Sequence, residues 1–487
     1  MQLFNSLTKA IEKFQPLDDK KIIAYVCGLT PYDSAHIGHA RTYVSFDVLK
    51  RYFIKKGYTV YHIQNITDVE DKIINRCKET GTDPMKLTTA MHDDALELFD
   101  SLNILRADIY PKVTEHINEI LDLVQLLLER KYAYETESGV YFDVLKFPDY
   151  GKLSGQDIEH MKAGVRKEVA EGKKSPLDFA LWKKTKGEIL EFDSPWGTGR
   201  PGWHIECSAM AKKYAKRTLD IHCGARDLIF PHHENEIAQS EAANGQKFCN
   251  YWVHTGFLTV NGEKMSKSIG NFITLSQALS QFNPNALRLF YLQAHYRSPL
   301  DYDEEKLSAA EESVERIFNA LGLMRELSQA GQEPKTKPDS DFRKSSDELV
   351  KSFYAHLEND LNTPEALGSL FSLVRLTNSH ASSANPDTEQ LKKLSSDMEA
   401  MLWILGLKEK KRGISEGLAE KIFSLATELG IKEKPKTTEN AMELIIKKRN
   451  EARQNKDYKT SDLIRDRLKE IGIILEDKEG VTKYKIV

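Results

Sequence analysis

The sequence predicts an α/β fold in which a doubly wound parallel sheet is split by an inserted subdomain and followed by an α-helical C-terminal region. Two short apolar runs, Lys21 to Cys27 and Tyr58 to Ile63, flank a helical pattern and together form a βαβ unit. A second α/β stretch follows much later, with Leu219 to Cys223 and Trp252 to Val260 as predicted strands. From Glu304 onward the apolar residues recur only at helical spacing.

The first helix is predicted from about His36 to Lys56. Ile37, Val44 and Val48 are spaced to face one side, and Gly57 is a C-terminal stop. Cys27 then stands at the carboxyl end of the first strand, which is the edge where such sheets bind their ligands.

Between the two α/β halves, residues 129 to 196 contain a hairpin-like piece at Gly139 to Val144 and several polar turns. This composition indicates an inserted subdomain. A further helix is predicted from about His232 to Ala243, between the two late strands.

The last third of the chain is predicted to be helical. Pro334 and Pro338 lie in a polar linker, and Thr363 with Pro364 starts a helix after it. Two breaker-rich stretches, 408 to 413 and 432 to 438, detach a small unit that begins at about Asn440. The apolar positions that define one face of these helices are Leu307, Val314, Ile317, Leu321, Met324, Leu367, Leu370, Val374 and Thr377.

The composition excludes several classes of protein. The 487 residues are 40% hydrophobic and 29% charged, with a net charge of −4 and no apolar run near the ~20 residues of a membrane span. The N-terminus lacks the pattern of a signal peptide, so a cytoplasmic location is expected. Five scattered cysteines without a CxxC pair do not form a disulfide framework. The near-neutral charge leaves any nucleic-acid binding to local basic surfaces.

The first chemical motif is His36-Ile37-Gly38-His39, which follows the first strand. Gly38 lets a substrate approach the backbone, and the helix N-terminus presents unpaired amides to phosphate. His36 and His39 can donate to phosphate oxygens. Taken alone, histidines in a first helical turn are equally able to be caps or solvated side chains.

The second motif is Lys264-Met265-Ser266-Lys267-Ser268, bounded by Gly262 and Gly270. Two lysines that flank a serine on a glycine-bounded loop are suited to binding a polyphosphate. A mobile loop can close as charge develops on a departing pyrophosphate.

These two motifs, in this order, resemble the HIGH and KMSKS signatures of class I aminoacyl-tRNA synthetases. The whole chain resembles the cysteinyl-tRNA synthetase family. The stretches that carry this resemblance are Ala24 to Thr30 (AYVCGLT), Asn65 to Asp68 (NITD), Gly199 to Ser208 (GRPGWHIECS) and Phe230 to Glu236 (FPHHENE).

The resemblance implies a zinc site formed by Cys27, Cys207, His232 and Glu236, a mixed set that suits this metal. His232 and Glu236 stand at i and i+4, so both would project from one helix face. His233 is the competing assignment from spacing alone, and the family pattern favours His232. Without the resemblance the cysteines would be read equally well as inert core residues.

Zinc would explain the choice of amino acid, because it lowers the pKa of a thiol and binds the thiolate, whereas a serine hydroxyl is a poorer ligand. A bond that only the correct substrate can form rejects a competitor far better than a difference in size does. We therefore expect no editing domain.

The resemblance also assigns Thr67, Trp203, His222 and Asp227 to the pocket for the amino acid. Three of them also have a purely structural interpretation: Thr67 as a turn former, Trp203 as a core aromatic and Asp227 as a cap. One stretch departs from the family's glycine-rich pattern, because the chain has Cys223 and Arg226 between His222 and Asp227. Cys223 is read as a harmless small residue, with a thiol near the zinc as the alternative.

The family implies two reaction steps, in which L-cysteine is activated with ATP and Mg²⁺ and then transferred to the terminal ribose of tRNA(Cys). His36 and His39 would hold the nucleotide, together with Gly38 and Ser266, and Lys264 and Lys267 would stabilise the developing charge. A monomer is expected.

The expected parts of the chain are as follows: 1–125, the first half of a Rossmann-type catalytic domain; 126–198, the insertion; 199–255, the second half with the zinc ligands; 256–305, the region of the KMSKS loop that contacts the tRNA stem; 306–430, a tRNA-binding helical bundle; and 431–487, a small anticodon-binding unit.

The C-terminal region is predicted to meet tRNA. Residues 441–487 hold twelve Lys or Arg and nine Asp or Glu, a local balance of +3. A charged helix is otherwise most often a solvated face. The residues that could contact phosphates are Lys447, Lys448, Arg449, Arg453, Arg465 and Arg467.

Two other functions are compatible with parts of this pattern. One is a cysteine ligase that passes the same adenylate to a small-molecule amine, as truncated relatives of the family do. The other is an inactive, zinc-stabilised RNA-binding paralogue. The C-terminal region argues against the first and the intact motifs argue against the second.

Overall fold

A computed structural model describes residues 1–157, 172–265, 269–329, 338–409, 416–431, 435, 437–478 and 481–486. The described chain forms two compact units, 1–408 and 409–487. Four of the residues named from the sequence, Ser266, Lys267, Ser268 and Pro334, lie outside the described residues. The six-part division of the chain stays a prediction.

The strands are β1 (Gln2–Asn5), β2 (Ala10–Lys13), β3 (Lys21–Val26), β4 (Thr59–Gln64), β5 (Ala133–Thr136), β6 (Gly139–Phe142), β7 (Phe179–Lys184), β8 (Gly199–Pro201), β9 (Leu219–Ala225), β10 (Cys249–Thr255), β11 (Leu258–Val260), β12 (Glu263–Lys264), β13 (Leu300–Tyr302), β14 (Ile473–Lys478) and β15 (Val481–Ile486).

The helices are α1 (Ile37–Lys55), α2 (Asp71–Thr80), α3 (Pro84–Ser101), α4 (Ile117–Glu129), α5 (Trp203–Ala215), α6 (Glu234–Asn244), α7 (Leu275–Gln281), α8 (Pro284–Leu292), α9 (Glu304–Gln329), α10 (Ser340–Glu358), α11 (Thr363–Ala381), α12 (Thr388–Leu405), α13 (Glu416–Glu428), α14 (Thr438–Gln454) and α15 (Tyr458–Glu470).

A parallel sheet in the order β10-β9-β3-β4 forms the centre of the first unit. Strands β3 and β9 come from the two separate α/β halves, and their register pairs Ala24 with Ile221 and Val26 with Cys223. The predicted split parallel sheet is therefore confirmed. Because all four strands run in the same direction, their carboxyl ends meet at one edge.

The predicted strand from Trp252 to Val260 is wrong as a single element. The chain forms β10, leaves the parallel sheet at Gly256, and then forms β11 in a separate sheet of order β12-β11-β13. Two features cause the break. A side chain on Gly256 would collide with the carbonyl of Ser298, and the buried guanidinium of Arg41 binds the carbonyls of Gly256 and Phe257.

An antiparallel sheet of order β5-β6-β7-β8 lies between the two halves of the parallel sheet in sequence, as the predicted insertion requires. It packs with α4 and α5 around buried aromatic and aliphatic side chains, including Phe142 and Trp182. The connection β8–α5 leads directly from this sheet to the second half of the parallel sheet.

Helices α9 to α12 form the predicted helical region, and every apolar position expected to face its core is buried. Helix α11 begins as predicted near Thr363 and Pro364, but Asn362 is the residue that caps it. A buried ion-pair network joins this region to α1. Asp47 accepts hydrogen bonds from Arg51 and Arg288, and these arginines also donate to the carbonyls of Trp403 and Leu405 at the end of α12.

The second unit contains α13, α14, α15 and the hairpin β14–β15 around its own apolar core. Arg449 was predicted to meet phosphate, and its position contradicts this. It is 4% exposed and donates two hydrogen bonds to Asp477 of the hairpin, at 3.0 and 2.8 Å. Its guanidinium is thus committed to the fold of the unit.

Among the described residues, no helix combines the length and apolar character needed to cross a membrane.

Candidate active site

The candidate site lies at the carboxyl edge of the parallel sheet. Cys27 follows β3 directly, and His222 lies near the end of the neighbouring strand β9. The start of α5 brings Cys207 to this edge, and the irregular turn that precedes α6 brings His232. The edge therefore receives side chains from both halves of the catalytic region.

Three of these side chains, Cys27, Cys207 and His232, form a buried cluster with Glu236 of α6. The ligand atoms of Cys27, Cys207, His232 and Glu236 all lie within 4.8 Å of one another. His232 Nε2 is 2.9 Å from Glu236 Oε1 and 3.6 Å from Cys207 Sγ, and Cys27 Sγ is 3.8 Å from the same carboxylate oxygen. The predicted set of four is thus brought together from four segments: the end of β3, α5, the turn before α6, and α6 itself.

The ionisation of the cluster is strongly perturbed. Burial raises the pKa of the Cys27 thiol, whereas the hydrogen bond from Cys27, together with His232, lowers the pKa of Cys207 to about 6. Burial alone would raise the pKa of Glu236, but His222 and His232 outweigh it and lower this pKa to about 2. The anionic forms of Cys207 and Glu236 are therefore favoured here, whereas burial favours the neutral thiol of Cys27.

A second set of four overlaps with the first. Cys27, His222, His233 and Glu236 also place their ligand atoms within 4.8 Å of one another. His233 Nε2 lies 3.1 Å from Cys27 Sγ, and His222 Nε2 lies 2.8 Å from Glu236 Oε2. The choice between His232 and His233, open from spacing, thus corresponds to two neighbouring positions for an ion.

The residues fit a metal ion, and the donor set indicates which one. Two sulfurs, one imidazole and one carboxylate in a buried site are a donor set that suits zinc. The alternative set has a single sulfur, so the set with Cys207 and His232 matches zinc better. The cluster could therefore hold a metal.

The HIGH segment forms the start of α1, with His36 as its cap. His36 Nδ1 accepts hydrogen bonds from the backbone N–H groups of Gly38 at 3.1 Å and His39 at 3.3 Å, and His39 Nδ1 accepts from the N–H of His36 at 3.4 Å. Since Nδ1 is an acceptor in both rings, the proton of each neutral ring is on Nε2. The cap therefore leaves both Nε2–H groups available as donors.

Burial lowers the pKa of His36 to about 4 and lowers that of His39 well below its usual value. Both rings are thus neutral at pH 7 and stack at 3.5 Å between centroids. Gly38 makes this arrangement possible, because a Cβ at this position would lie 3.0 Å from the His36 ring.

The segment that follows the KMSKS loop lies directly against the HIGH segment. Ile37 N–H donates to Ile273 O at 3.3 Å, and Leu275 N–H donates to Ala35 O at 2.8 Å. Of the loop itself, Lys264 and Met265 are described. The Lys264 ammonium lies 3.7 Å from Asp227 Oδ2. The two signature segments are thus neighbours in space.

The predicted pocket residues occupy different environments. Thr67 is buried and accepts a hydrogen bond from Asn65 at 3.1 Å. Trp203 is 40% exposed, and its indole stacks on His232 with 4.4 Å between ring centroids. His222 is fully buried against Trp252. Trp203 and His222 therefore contact the cluster, Thr67 lies beside Asn65, and Asp227 faces Lys264.

Cys223 lies away from the cluster. It alternates with His222 along β9, and its side chain packs into the hydrophobic core on the opposite face of the sheet from Cys27 and Cys207. It is a small core residue, as the first of the two interpretations predicted. The following Gly224 has a steric role, because a Cβ there would lie 2.6 Å from the ring of His233.

The sequence analysis missed a group of histidines around the cluster. His204 Nδ1 lies 2.9 Å from His232 Nδ1, and His233 Nδ1 lies 2.8 Å from His254 Nε2. The signal for His254 was present, because it stands two residues after Trp252 in a strand and so lies on the same face. The analysis also missed Glu206, a buried carboxyl whose pKa is raised by burial and by Cys207.

Comparison with protein families gives two matches. The family described as "tRNA synthetases class I (C) catalytic domain" matches residues 13–312, and the family described as "DALR domain" matches residues 352–409.

Curated proteins match along their whole length. The chain is 44% identical over 500 residues to "Cysteine--tRNA ligase" of Thermococcus onnurineus, covering 100% of this chain and 99% of that protein. It is 45% identical over 487 residues to the protein of the same name from Carboxydothermus hydrogenoformans, covering 100% of both.

Solved structures share the fold at low identity. A Mycobacterium tuberculosis methionyl-tRNA synthetase in complex with methionyl-adenylate superposes with a TM-score of 0.59 at 15% identity, over 79% of this chain and 89% of that one. The LeuRS–tRNA–LeuAMS ternary complex of Agrobacterium radiobacter K84 superposes with a TM-score of 0.60 at 12% identity, over 81% and 84%.

Proposed function

The chain belongs to the cysteinyl-tRNA synthetases, a class I family of tRNA ligases, and from this membership we propose the roles of its residues in ligating L-cysteine to tRNA(Cys). The observation that carries the proposal is the buried cluster of two thiols, an imidazole and a carboxylate at the carboxyl edge of the sheet. The cluster lies at the edge of the sheet on which the HIGH helix α1 packs. A cysteine whose thiol is held at the cluster can therefore present its carboxylate to a nucleotide at the start of α1.

In the first step the carboxylate oxygen of cysteine attacks the α-phosphorus of ATP, and pyrophosphate leaves. No side chain acts as a nucleophile, because positioning and charge stabilisation carry such transfers. His36 and His39 donate from Nε2 to phosphate oxygens. The cap favours the tautomer that carries the proton on Nε2. Gly38 leaves room for the nucleotide, and Lys264, with Lys267 and Ser266, stabilises the charge on the departing pyrophosphate.

In the second step the 2′-hydroxyl of the terminal ribose of tRNA attacks the carbonyl carbon of the adenylate, and AMP leaves. The choice of the 2′-hydroxyl as the acceptor of the cysteinyl group follows from membership of class I. Thr67, Trp203, His222 and Asp227 hold the amino acid through both steps. Trp203 is supported in this role by its exposed indole, which forms an open wall beside His232.

Cys27, Cys207, His232 and Glu236 would hold one zinc ion. When bound, the zinc supplies a site that takes the sulfur of the substrate as a thiolate, which serine cannot match. This selectivity makes a separate editing activity unnecessary. ATP is used together with Mg²⁺, because adenylyl transfer to a carboxylate requires neutralisation of the charge on the phosphates.

The helical region and the second unit bind tRNA, and the protein acts as a monomer. Support comes from the DALR match and from exposed basic residues on α14, namely Lys447 and Arg453. Arg449 is left out of this surface because it is buried.

A pair of assays tests the proposal. We expect cysteine-dependent exchange between ATP and pyrophosphate, followed by charging of tRNA(Cys) with cysteine. Exchange without charging would favour the small-molecule ligase, and the absence of exchange would favour an inactive paralogue. Rapid hydrolysis of seryl-tRNA(Cys) by the purified protein would contradict the absence of editing.

A further inference from the structure

A cavity of about 270 Å³ lies at the end of the parallel sheet opposite to the candidate active site. Its walls come from the C-terminal turns of α5 and α6 and from the segments that enter β9 and β10. On α5, Lys216 follows Cys207 by nine residues, roughly 14 Å along a helix axis. The lysines of the cavity are therefore remote from the cluster of thiols and histidines, although Ser208, the residue after Cys207, also lines the cavity.

The lining of this cavity is strongly basic. Lys212, Lys216, Arg217 and Lys247 contribute to it, and among the described residues that line it there is no carboxylate. Arg217 donates to the buried Asp220 at 3.2 Å. In the part of the chain that the structure describes, the three lysines form no ion pair with an acidic side chain. The three exposed lysines thus face a recess that no carboxylate lines, beside the C-terminal ends of α5 and α6, whose partial negative charge they offset only in part.

Two buried polar atoms in the same lining have no partner among the described residues. They are the hydroxyl of Ser240, a residue that is 2% exposed, and Nε of Arg217. A helical serine usually donates to the carbonyl four residues earlier. For Ser240 this carbonyl belongs to Glu236, and it accepts from Ser208 at 3.4 Å instead. Buried donors are almost always satisfied, so these two atoms indicate a ligand.

We propose that this cavity binds a small phosphate anion, either inorganic phosphate or pyrophosphate. Lysine and arginine with a hydroxyl donor are the groups that bind phosphate oxygens. The volume is just below the ~300 Å³ at which sites for larger organic ligands begin, which fits a compact anion rather than a whole nucleotide. Pyrophosphate is also a product of the reaction proposed above, but the site itself does not depend on that reaction.

Titration calorimetry of the full-length protein tests this proposal, with phosphate and pyrophosphate in separate runs in a chloride buffer. Lys216→Gly is the informative variant. Lys216 has a φ of 56°, a left-handed conformation that favours glycine, so the substitution removes the charge without destabilising the fold. We expect binding to weaken at least about tenfold, with an unchanged or higher melting temperature. Ser240→Ala should also weaken binding.

Three controls locate the anion. Lys86→Gln removes an exposed charge on α3 and should leave binding intact. Lys264→Ala removes a phosphate-binding group of the active site, so binding that survives Lys264→Ala but is lost in Lys216→Gly occurs in the cavity. The reverse pattern overturns the proposal. The absence of binding at millimolar concentrations of either anion also overturns it. So does a result in which Lys216→Gly weakens the binding of tRNA but not of either anion. Because calorimetry does not require turnover, these outcomes are independent of the proposed ligation.

Discussion

At the scale of single residues, the site depends on side chains that have two tasks. His36 caps α1 through Nδ1, and its Nε2 is the proposed donor to the substrate. Cys207 is buried in the core beneath the sheet and is also held within reach of His232. Substitutions that separate the two tasks of a residue are therefore the most informative.

The first prediction concerns the cap. Serine is a good N-cap but is too short to replace the Nε2–H donor, so His36→Ser should keep stability within about 0.5 kcal/mol. Loss of a preorganised donor should lower kcat for ATP–pyrophosphate exchange by about 10²-fold or more. Chemical denaturation and exchange kinetics measure the two effects. His36→Ala, the matched variant, should lose about 1 kcal/mol in addition. Normal exchange by His36→Ser would show that His36 only caps the helix.

The second prediction concerns the metal. About one zinc per chain is expected, and Cys207→Ser should lose both the zinc and the discrimination against serine, because a hydroxyl is a poor ligand for this ion. Metal analysis and serine-dependent exchange measure these effects. Cys77→Ser, a buried thiol outside the cluster, is the control.

The same measurements distinguish the two overlapping ligand sets. His232→Ala should remove the zinc and His233→Ala should retain it. If the zinc content falls only in His233→Ala, the ion belongs to the set of Cys27, His222, His233 and Glu236. An unchanged zinc content in Cys207→Ser would exclude Cys207 as a ligand.

At the scale of elements, α1 determines how the two signature segments meet. Its first turn pairs with the segment after the KMSKS loop, and one turn later Arg41 binds the backbone where β10 ends. Its second half carries Asp47, the acceptor of the buried ion-pair network. One helix thus contacts the nucleotide-binding segments at one end and the helical region at the other.

The third prediction follows from Arg41, a positioning residue that is 1% exposed. Its planar guanidinium donates to the carbonyls of Gly256, Phe257 and Ser298, and a lysine cannot satisfy all three. Arg41→Lys should cost about 1–3 kcal/mol and lower kcat for exchange by about 10²-fold, because Lys264 is then misplaced relative to His36. Arg76→Lys on the exposed face of α2 is the control. A loss of stability with unchanged kcat would make Arg41 purely structural.

At the scale of the whole molecule, the residues of the proposed active site and the second compact unit occupy different parts of the chain. Both signature segments, the cluster and the α9–α12 helices lie within residues 1–408. Residues 409–487 have a hydrophobic core of their own. Each unit therefore has the interior that independent folding needs.

The fourth prediction is that residues 1–408 alone keep cysteine-dependent ATP–pyrophosphate exchange and charge tRNA(Cys) poorly. Loss of contacts worth about 3 kcal/mol would lower kcat/KM for tRNA by about 10²-fold. Exchange and charging assays on the truncated and complete chains measure this difference, and the exchange rate serves as the folding control. Full charging by the truncated chain would show that the second unit is dispensable.

Local patterns in the sequence determined much of this architecture. Apolar periodicity located the parallel strands, α1 and the helical core, because each depends on which residues of a short segment are buried. The same patterns placed Cys27 at a strand end and His36 at a helix start. The four proposed zinc ligands were named from the family resemblance, and their coordination stays a prediction.

Only the tertiary structure decided which distant groups meet. It surrounded the cluster with His204, His233 and His254, and it placed Cys223 on the opposite face of the sheet. It also ended β10 at Gly256, where Arg41 reaches across from a helix more than 200 residues earlier in the chain. The same applies to the basic cavity, whose lysines lie on different segments. The physical reason is that spacing along the chain reports the faces of one element, whereas contacts between elements depend on how those faces pack.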